Sequence, residues 1–300
     1  MNNINMLTVY LGSSGHARPV FKDSARALGA MIAREGKHLV YGGMDAGLMG
    51  LLAKSALDHG GRVTGIIPRK IKDSERILPD LSETILVEEL CDRKKRMFLM
   101  ADAVLALPGG FGTLDESLEI LYWGGLKMHR KPLVLINIEG YWDDLIPYLQ
   151  GLEDFDPRYL IVAQTLNELF PALQSWSAPD IPHATHDHYP HFEDEIMRNT
   201  SEPIVIDKAS VENTYFAICA MGLKQLGKHG RGIGLLNTGG QFDGLIAWLK
   251  RAAQERFITE KCLQLFTVDT DEARLRETLR AQKPVHIDLH GEKWGESEAV

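Results

Sequence analysis

Short, unbroken apolar runs recur along the first half of the chain. Each is followed by small residues and then by a segment with apolar positions at helical spacing. Residues 6–11, MLTVYL, predict a first strand that runs into Gly12-Ser13-Ser14-Gly15. Residues 20–35 place Leu28, Met31 and Ile32 on one helical face and stop at Gly36. Residues 38–41 predict a second strand entering Gly42-Gly43, with a helix from about Gly47 to Leu57. Further strands are predicted at 62–67, 85–87, 103–107, 133–136 and 159–162, with a helix over 93–100. Continuous apolar strands alternating with helices mean a parallel sheet covered on both faces. The expected fold is α/β, a doubly wound parallel sheet. Such sheets bind ligands beyond the carboxyl ends of their strands, at a topological switch point. The small-residue turns should therefore gather at one cleft.

The pattern breaks at residues 175–190, which hold Pro179, Pro182 and Pro190 and read as a linker. The expected division is a first α/β domain at 1–178, a Pro/His-rich linker at 179–199, a second α/β unit at 200–285 and a polar tail at 286–300. The second unit echoes the first. Residues 133–149, LVLINIEGYWDDLIPYL, and 233–249, IGLLNTGGQFDGLIAWL, share Leu135/Leu235, Asn137/Asn237, Gly140/Gly240, Asp143/Asp243, Leu145/Leu245, Ile146/Ile246 and Leu149/Leu249 without a gap. Chance alone gives about one identity over such a span, so 200–285 is read as an appended, degenerate partial repeat. In the expected alignment Val205-Ile206-Asp207-Lys208-Ala209-Ser210 stands where the first copy has Pro108 to Thr113, and Asn213 takes the slot of Glu116. The repeat thus keeps a scaffold and loses the glycine-rich turn.

A net charge of −8 argues against nonspecific nucleic-acid binding. It leaves room for a nucleotide, which needs only a few local donors. Cys91, Cys219 and Cys262 are widely separated, which fits a reducing, cytoplasmic compartment. No basic, apolar leader and no run of 18 apolar residues stands in the sequence, so no membrane association is expected.

The chemistry concentrates in Pro108-Gly109-Gly110-Phe111-Gly112-Thr113-Leu114-Asp115-Glu116, between the apolar strand at 103–107 and a helical segment at 117–123. A glycine-rich strand-to-helix turn lets backbone N–H groups approach an anion, with the helix N-terminus aimed at it. Glu116 is expected in the first helical turn, at the lip of that cradle. Taken alone, Glu116 is a helix-dipole acid, Thr113 an N-cap and Arg93 part of a solvated basic run, Arg93-Lys94-Lys95-Arg96. Together they form PGGxGTxxE preceded by Arg-Lys, with the turns at Ser13 and at Gly42-Gly43 in order. That combination resembles the Lonely Guy family of nucleoside-monophosphate phosphoribohydrolases over about residues 6–176.

The resemblance implies hydrolysis of the N-glycosidic bond of AMP or a cytokinin riboside monophosphate, giving free base and ribose 5-phosphate. It implies Glu116 and Arg93 as catalytic residues. Gly109, Gly110, Phe111, Gly112, Thr113, Lys94, Ser13, Gly42 and Gly43 are implied as substrate-binding. It also implies a Rossmann-like fold and a homodimer, and the reaction scheme calls for no metal or cofactor. A non-catalytic nucleotide sensor or carrier of the same fold is the alternative. The family's usual Met-His stands here as Leu90-Cys91, and its Tyr-Gly-Gly-Gly turn as Tyr41-Gly42-Gly43-Met44. The histidines His183, His186, His188 and His191 read as loop residues rather than metal ligands. Trp123, Trp142 and Trp248 read as core or interface, and Glu193-Asp194-Glu195 as solvated surface.

Overall fold

The structure is a computed structural model that describes residues 4–69, 77–181, 188–198, 201–282 and 285–289. Strands β1 (Met6–Tyr10), β2 (His38–Tyr41), β3 (Arg62–Pro68), β4 (Glu83–Val87), β5 (Ala103–Ala106), β6 (Leu133–Ile136) and β7 (Leu160–Ala163) form one sheet in the order β4-β3-β2-β1-β5-β6-β7. Every adjacent pair is parallel. Helices α1 (Pro19–Arg34), α2 (Gly47–Asp58), α3 (Leu90–Met100), α4 (Phe111–Gly125), α5 (Leu145–Gln150) and α6 (Leu166–Ser175) connect the strands. Val9, Leu39, Val40, Val104, Leu105 and Val134 are fully buried, which is why these strands carry no polar alternation. The order reverses between β1 and β5, so the switch point lies where Gly12 and Pro108 leave the sheet. No helix among the described residues is long and apolar enough to cross a membrane.

After α7 (Glu193–Ile196), strands β8 (Ile204–Ile206), β9 (Ile233–Leu236) and β10 (Thr267–Asp269) build a second parallel sheet in the order β10-β9-β8. Helices α8 (Val211–Gln225), α9 (Asp243–Gln254) and α10 (Glu272–Ala281) accompany it. The second sheet repeats β5 to β7, and α4 and α8 have equal length and start one hundred residues apart. The retained identities have a mechanical cause. Asn137 Nδ2 donates to Asp143 and its Oδ1 accepts from the Trp142 N–H; Asn237 does the same with Asp243 and Phe242, all at 2.7–2.8 Å. Gly140 and Gly240 sit at φ +66° and +77°, where a side chain is strained.

This register corrects the sequence alignment of the two turns. With helices matched, Asn213 faces the slot of Thr113, and Phe216, not Asn213, that of Glu116. Ser210 caps α8 by accepting from the Asn213 N–H at 3.0 Å, so its N-terminus is occupied by its own chain. At these two places the second unit therefore has a side-chain-capped helix start and an aromatic ring.

The two units pack through equivalent elements. Helix α4 lies against α8 and α5 against α9. Trp142 and Trp248 are fully buried and stack at 5.8 Å with an interplanar angle of 6°. Residues 188–198 belong to the packing as well. Tyr189 meets Phe98 and Trp123 at 5.2 and 4.8 Å, and the Trp123 indole N–H donates to the Pro190 carbonyl at 2.8 Å. His183, His186 and the tail beyond residue 289 lie outside the described residues.

Candidate active site

The three small-residue turns meet at the switch point. The Gly12 N–H donates to the Pro108 carbonyl at 3.1 Å, and the Gly12 carbonyl accepts from Leu48 N–H at 3.1 Å. Glycine is required by crowding here. A Cβ on Gly109 would stand 2.1 Å from Thr113 Oγ1 and 2.9 Å from the Gly12 nitrogen. One on Gly47, at φ +50°, would stand 2.4 Å from the Ser13 carbonyl carbon, so the Ser13 backbone lies close against the start of α2. A Cβ on Gly43, at φ +81°, would collide with Ile67, and one on Gly42 would face the Arg93 guanidinium at 3.5 Å.

Helix α4 begins at Phe111, earlier than the sequence predicts, with Gly110 as its N-cap. Gly112 and Thr113 are thus helical, and Glu116 falls in the second turn rather than the first. Glycine's poor helix propensity hides this start from a sequence reading. No side chain caps α4, which leaves the amides of Phe111, Gly112 and Thr113 as the N-terminal donors beside Gly12. Helix α3 likewise starts early, at Leu90, because Glu89 and Asp92 form a capping box.

Glu116 projects from α4 towards α3 and is 7% exposed. Its Oε1 lies 3.8 Å from Arg93 Nη2. Burial pushes its carboxyl up to about 7, against the pull of Arg93 and Lys94; Asp115 and Glu119 add to the rise. A carboxyl that titrates near neutrality is suited to general-base work. The Arg93 Nε is buried without a hydrogen-bond partner among the described residues, so this guanidinium keeps a donor in reserve. The Tyr10 hydroxyl is also buried and unpartnered among the described residues, and burial first, then Glu116 and Glu119, pushes its pKa up.

Two implied substrate contacts point elsewhere. The Lys94 ammonium is 4% exposed and held by Asp115 at 2.9 Å, Glu193 at 3.1 Å and Glu119 at 3.4 Å. Burial works against its charge, but Asp115 and Glu119 keep it protonated. Phe111 is buried and packs towards Gly222 of α8. The expectation of solvated surface fails at Glu193, which the Lys94 ammonium draws inward. Cys91 is half-buried, and burial, Glu193 and Asp92 raise its thiol pKa, so the nearby cations do not activate it. Sequence reasoning missed Tyr10, Glu119 and Tyr215 beside the site. Only Glu119 carried a local signal, one helical turn past Glu116.

A glycine-rich turn at a helix N-terminus without a side-chain cap, with a buried acid and an arginine close by, at the switch point of a doubly wound sheet is the geometry that relatives have to match. The model of the family described as possible lysine decarboxylase matches residues 49–173. A probable cytokinin riboside 5'-monophosphate phosphoribohydrolase, LOGL1 of Oryza sativa subsp. japonica, is 38% identical over 57% of this chain and 79% of its own length. Cytokinin riboside 5'-monophosphate phosphoribohydrolase LOG7 of Arabidopsis thaliana is 37% identical over 57% and 81%. Among solved structures, the molybdenum cofactor carrier protein of Chlamydomonas reinhardtii is 22% identical with a TM-score of 0.47, covering 58% of this chain and 98% of that one. The chain belongs to the Lonely Guy family of phosphoribohydrolases.

Proposed function

We propose that the protein hydrolyses the N-glycosidic bond of a purine nucleoside 5'-monophosphate, AMP or an N6-modified analogue such as a cytokinin riboside monophosphate. The products are the free base and ribose 5-phosphate. The observation that supports this best is the Glu116 carboxyl, raised to about 7 and 3.8 Å from Arg93, beside an uncapped helix N-terminus.

In this reading the phosphate sits on the amides of Gly110 to Thr113 and the Thr113 hydroxyl, with Gly109 admitting it closely. Ser13, Gly42 and Gly43 shape the wall opposite. Cleavage of the C1′–N bond builds oxocarbenium character on the ribose. Ionised Glu116 stabilises that charge and takes a proton from the attacking water. Arg93 does not give up a proton at working pH; it holds ribose hydroxyls or phosphate and orients Glu116. The phosphate lies away from the broken bond, so its binding energy holds the ribose in a reactive geometry.

Incubation with AMP and chromatographic detection of adenine tests the reading. Glu116→Gln should lower the rate by about 10²-fold or more, the usual worth of a general base, while AMP still binds. Tight AMP binding with no adenine from the unaltered protein would make it a nucleotide binder instead.

A further inference from the structure

The packing between the two units is reciprocal. Tyr215 of α8 stands in the repeat where Asp115 stands in α4, and Cys219 stands where Glu119 does. The Tyr215 hydroxyl donates to Glu119 Oε1 at 2.7 Å, and the Cys219 thiol faces the Asp115 carboxyl. On the second pair of helices, a Cβ on Gly244 would stand 2.8 Å from the carbonyl of its own counterpart, Asp144. Position i meeting j while j meets i, with one position meeting itself, is the signature of a two-fold interface between like subunits. Here both sides belong to one chain.

We infer that the degenerate repeat serves as a built-in partner subunit, and that Tyr215 is its contribution to the catalytic half: a positioning residue that acts through Glu119 on Glu116. The inference rests on the proposed phosphoribohydrolase reading for its kinetic consequence, though not for its electrostatic one. Tyr215 is fully buried and its ring is fixed by Tyr122 and Phe192 at 5.8 and 5.0 Å. Its hydroxyl ends on a carboxylate one helical turn from Glu116. The cluster it joins holds the Asp115, Glu119 and Glu193 carboxyls against the ammonium of Lys94. Glu116 faces Arg93 and Lys94 from α3, Asp115 and Glu119 from its own helix and Tyr10 from β1. Glu119 faces Lys94, Asp115, Glu193 and Tyr215. Removing the Tyr215 hydroxyl takes a donor from ionised Glu119, which then holds its proton to higher pH. A neutral Glu119 no longer opposes ionisation of Glu116, so Glu116 loses its proton at lower pH.

The test is a carbon-13 NMR titration of the glutamate carboxyls in the full chain, with the Glu116 signal assigned by its loss in Glu116→Gln. In Tyr215→Phe the Glu116 midpoint should fall by at least about half a pH unit. The alkaline-rising limb of adenine release should fall with it. Glu119→Gln should lower the midpoint at least as far, and the double variant should match Glu119→Gln alone. An unchanged Glu116 midpoint in a folded Tyr215→Phe protein overturns the inference. So does a double variant whose shift is the sum of the two single ones, because Tyr215 would then not act through Glu119. A shifted midpoint in a protein that releases no adenine keeps the coupling and overturns the phosphoribohydrolase reading alone.

Discussion

Replacing Glu116 by glutamine should stabilise the protein, and the gain should depend on pH. An unfolded glutamate loses its proton near 4.5, whereas burial holds the folded carboxyl up to about 7. Between those values the folded state binds more protons than the unfolded one, so stability falls as pH rises. Below 4.5 the acid is neutral in both states, and glutamine is a near-equivalent replacement. Above 7 the wild-type fold carries the full cost of a buried, under-compensated carboxylate, which the gap sets at roughly 3 kcal/mol. Urea unfolding of wild type and Glu116→Gln, followed by tryptophan fluorescence at pH 4.5 and pH 8, measures it. The buried Trp123, Trp142 and Trp248 report loss of the core. The variant should unfold at nearly the wild-type urea concentration at pH 4.5 and at a clearly higher one at pH 8. An equal difference at both values would refute the claim that ionising Glu116 strains this fold. A proposed catalytic group that destabilises its own fold is an expected cost of function.

Other perturbations separate the cradle from the seam. Gly109→Ala drives a methyl into Thr113 Oγ1 and the Gly12 amide, so KM for AMP should rise at least about tenfold in steady-state kinetics, because close backbone approach is lost. Lys94→Met leaves Asp115, Glu119 and Glu193 facing one another without their cation; at pH 8 urea unfolding should show a loss of about 3–5 kcal/mol. That loss should shrink towards pH 5, because Glu119 is itself raised by burial to about 7 and takes up a proton. Trp248→Ala empties a fully buried site stacked on Trp142 and should cost about 3–5 kcal/mol, seen as a fall in thermal midpoint.

The sheet and the glycine-rich turn were legible because both are local. Strands such as 103–106 are buried on both faces and so read as pure apolar runs, and glycines mark where the chain must turn. The start of α4 does not show in the sequence because Gly110 and Gly112 look like turn residues, whereas Gly110 is the N-cap and Gly112 is already helical. The partners of Lys94 were illegible for a different reason. Asp115 and Glu119 lie about a helix and a strand away, and Glu193 lies beyond the proline-rich stretch. No spacing rule links them, since the contacts exist only once α3, α4 and α7 have packed together. The repeat was visible through Asn137 and Asn237, whose side chains lock a tight turn, yet its register at the first turn was not. That turn had diverged, and only the equal lengths of α4 and α8 fix it.

The seam between α4 and α8 is covalently tethered. Two separate copies joined by such a face would come apart below their dissociation constant, whereas tethered faces meet at a fixed effective concentration, of millimolar order for short flexible connections. The Tyr215–Glu119 contact is therefore a first-order property of each molecule. Its occupancy, and the protonation behaviour it governs, stays constant from the most concentrated solution to a single copy in a cell.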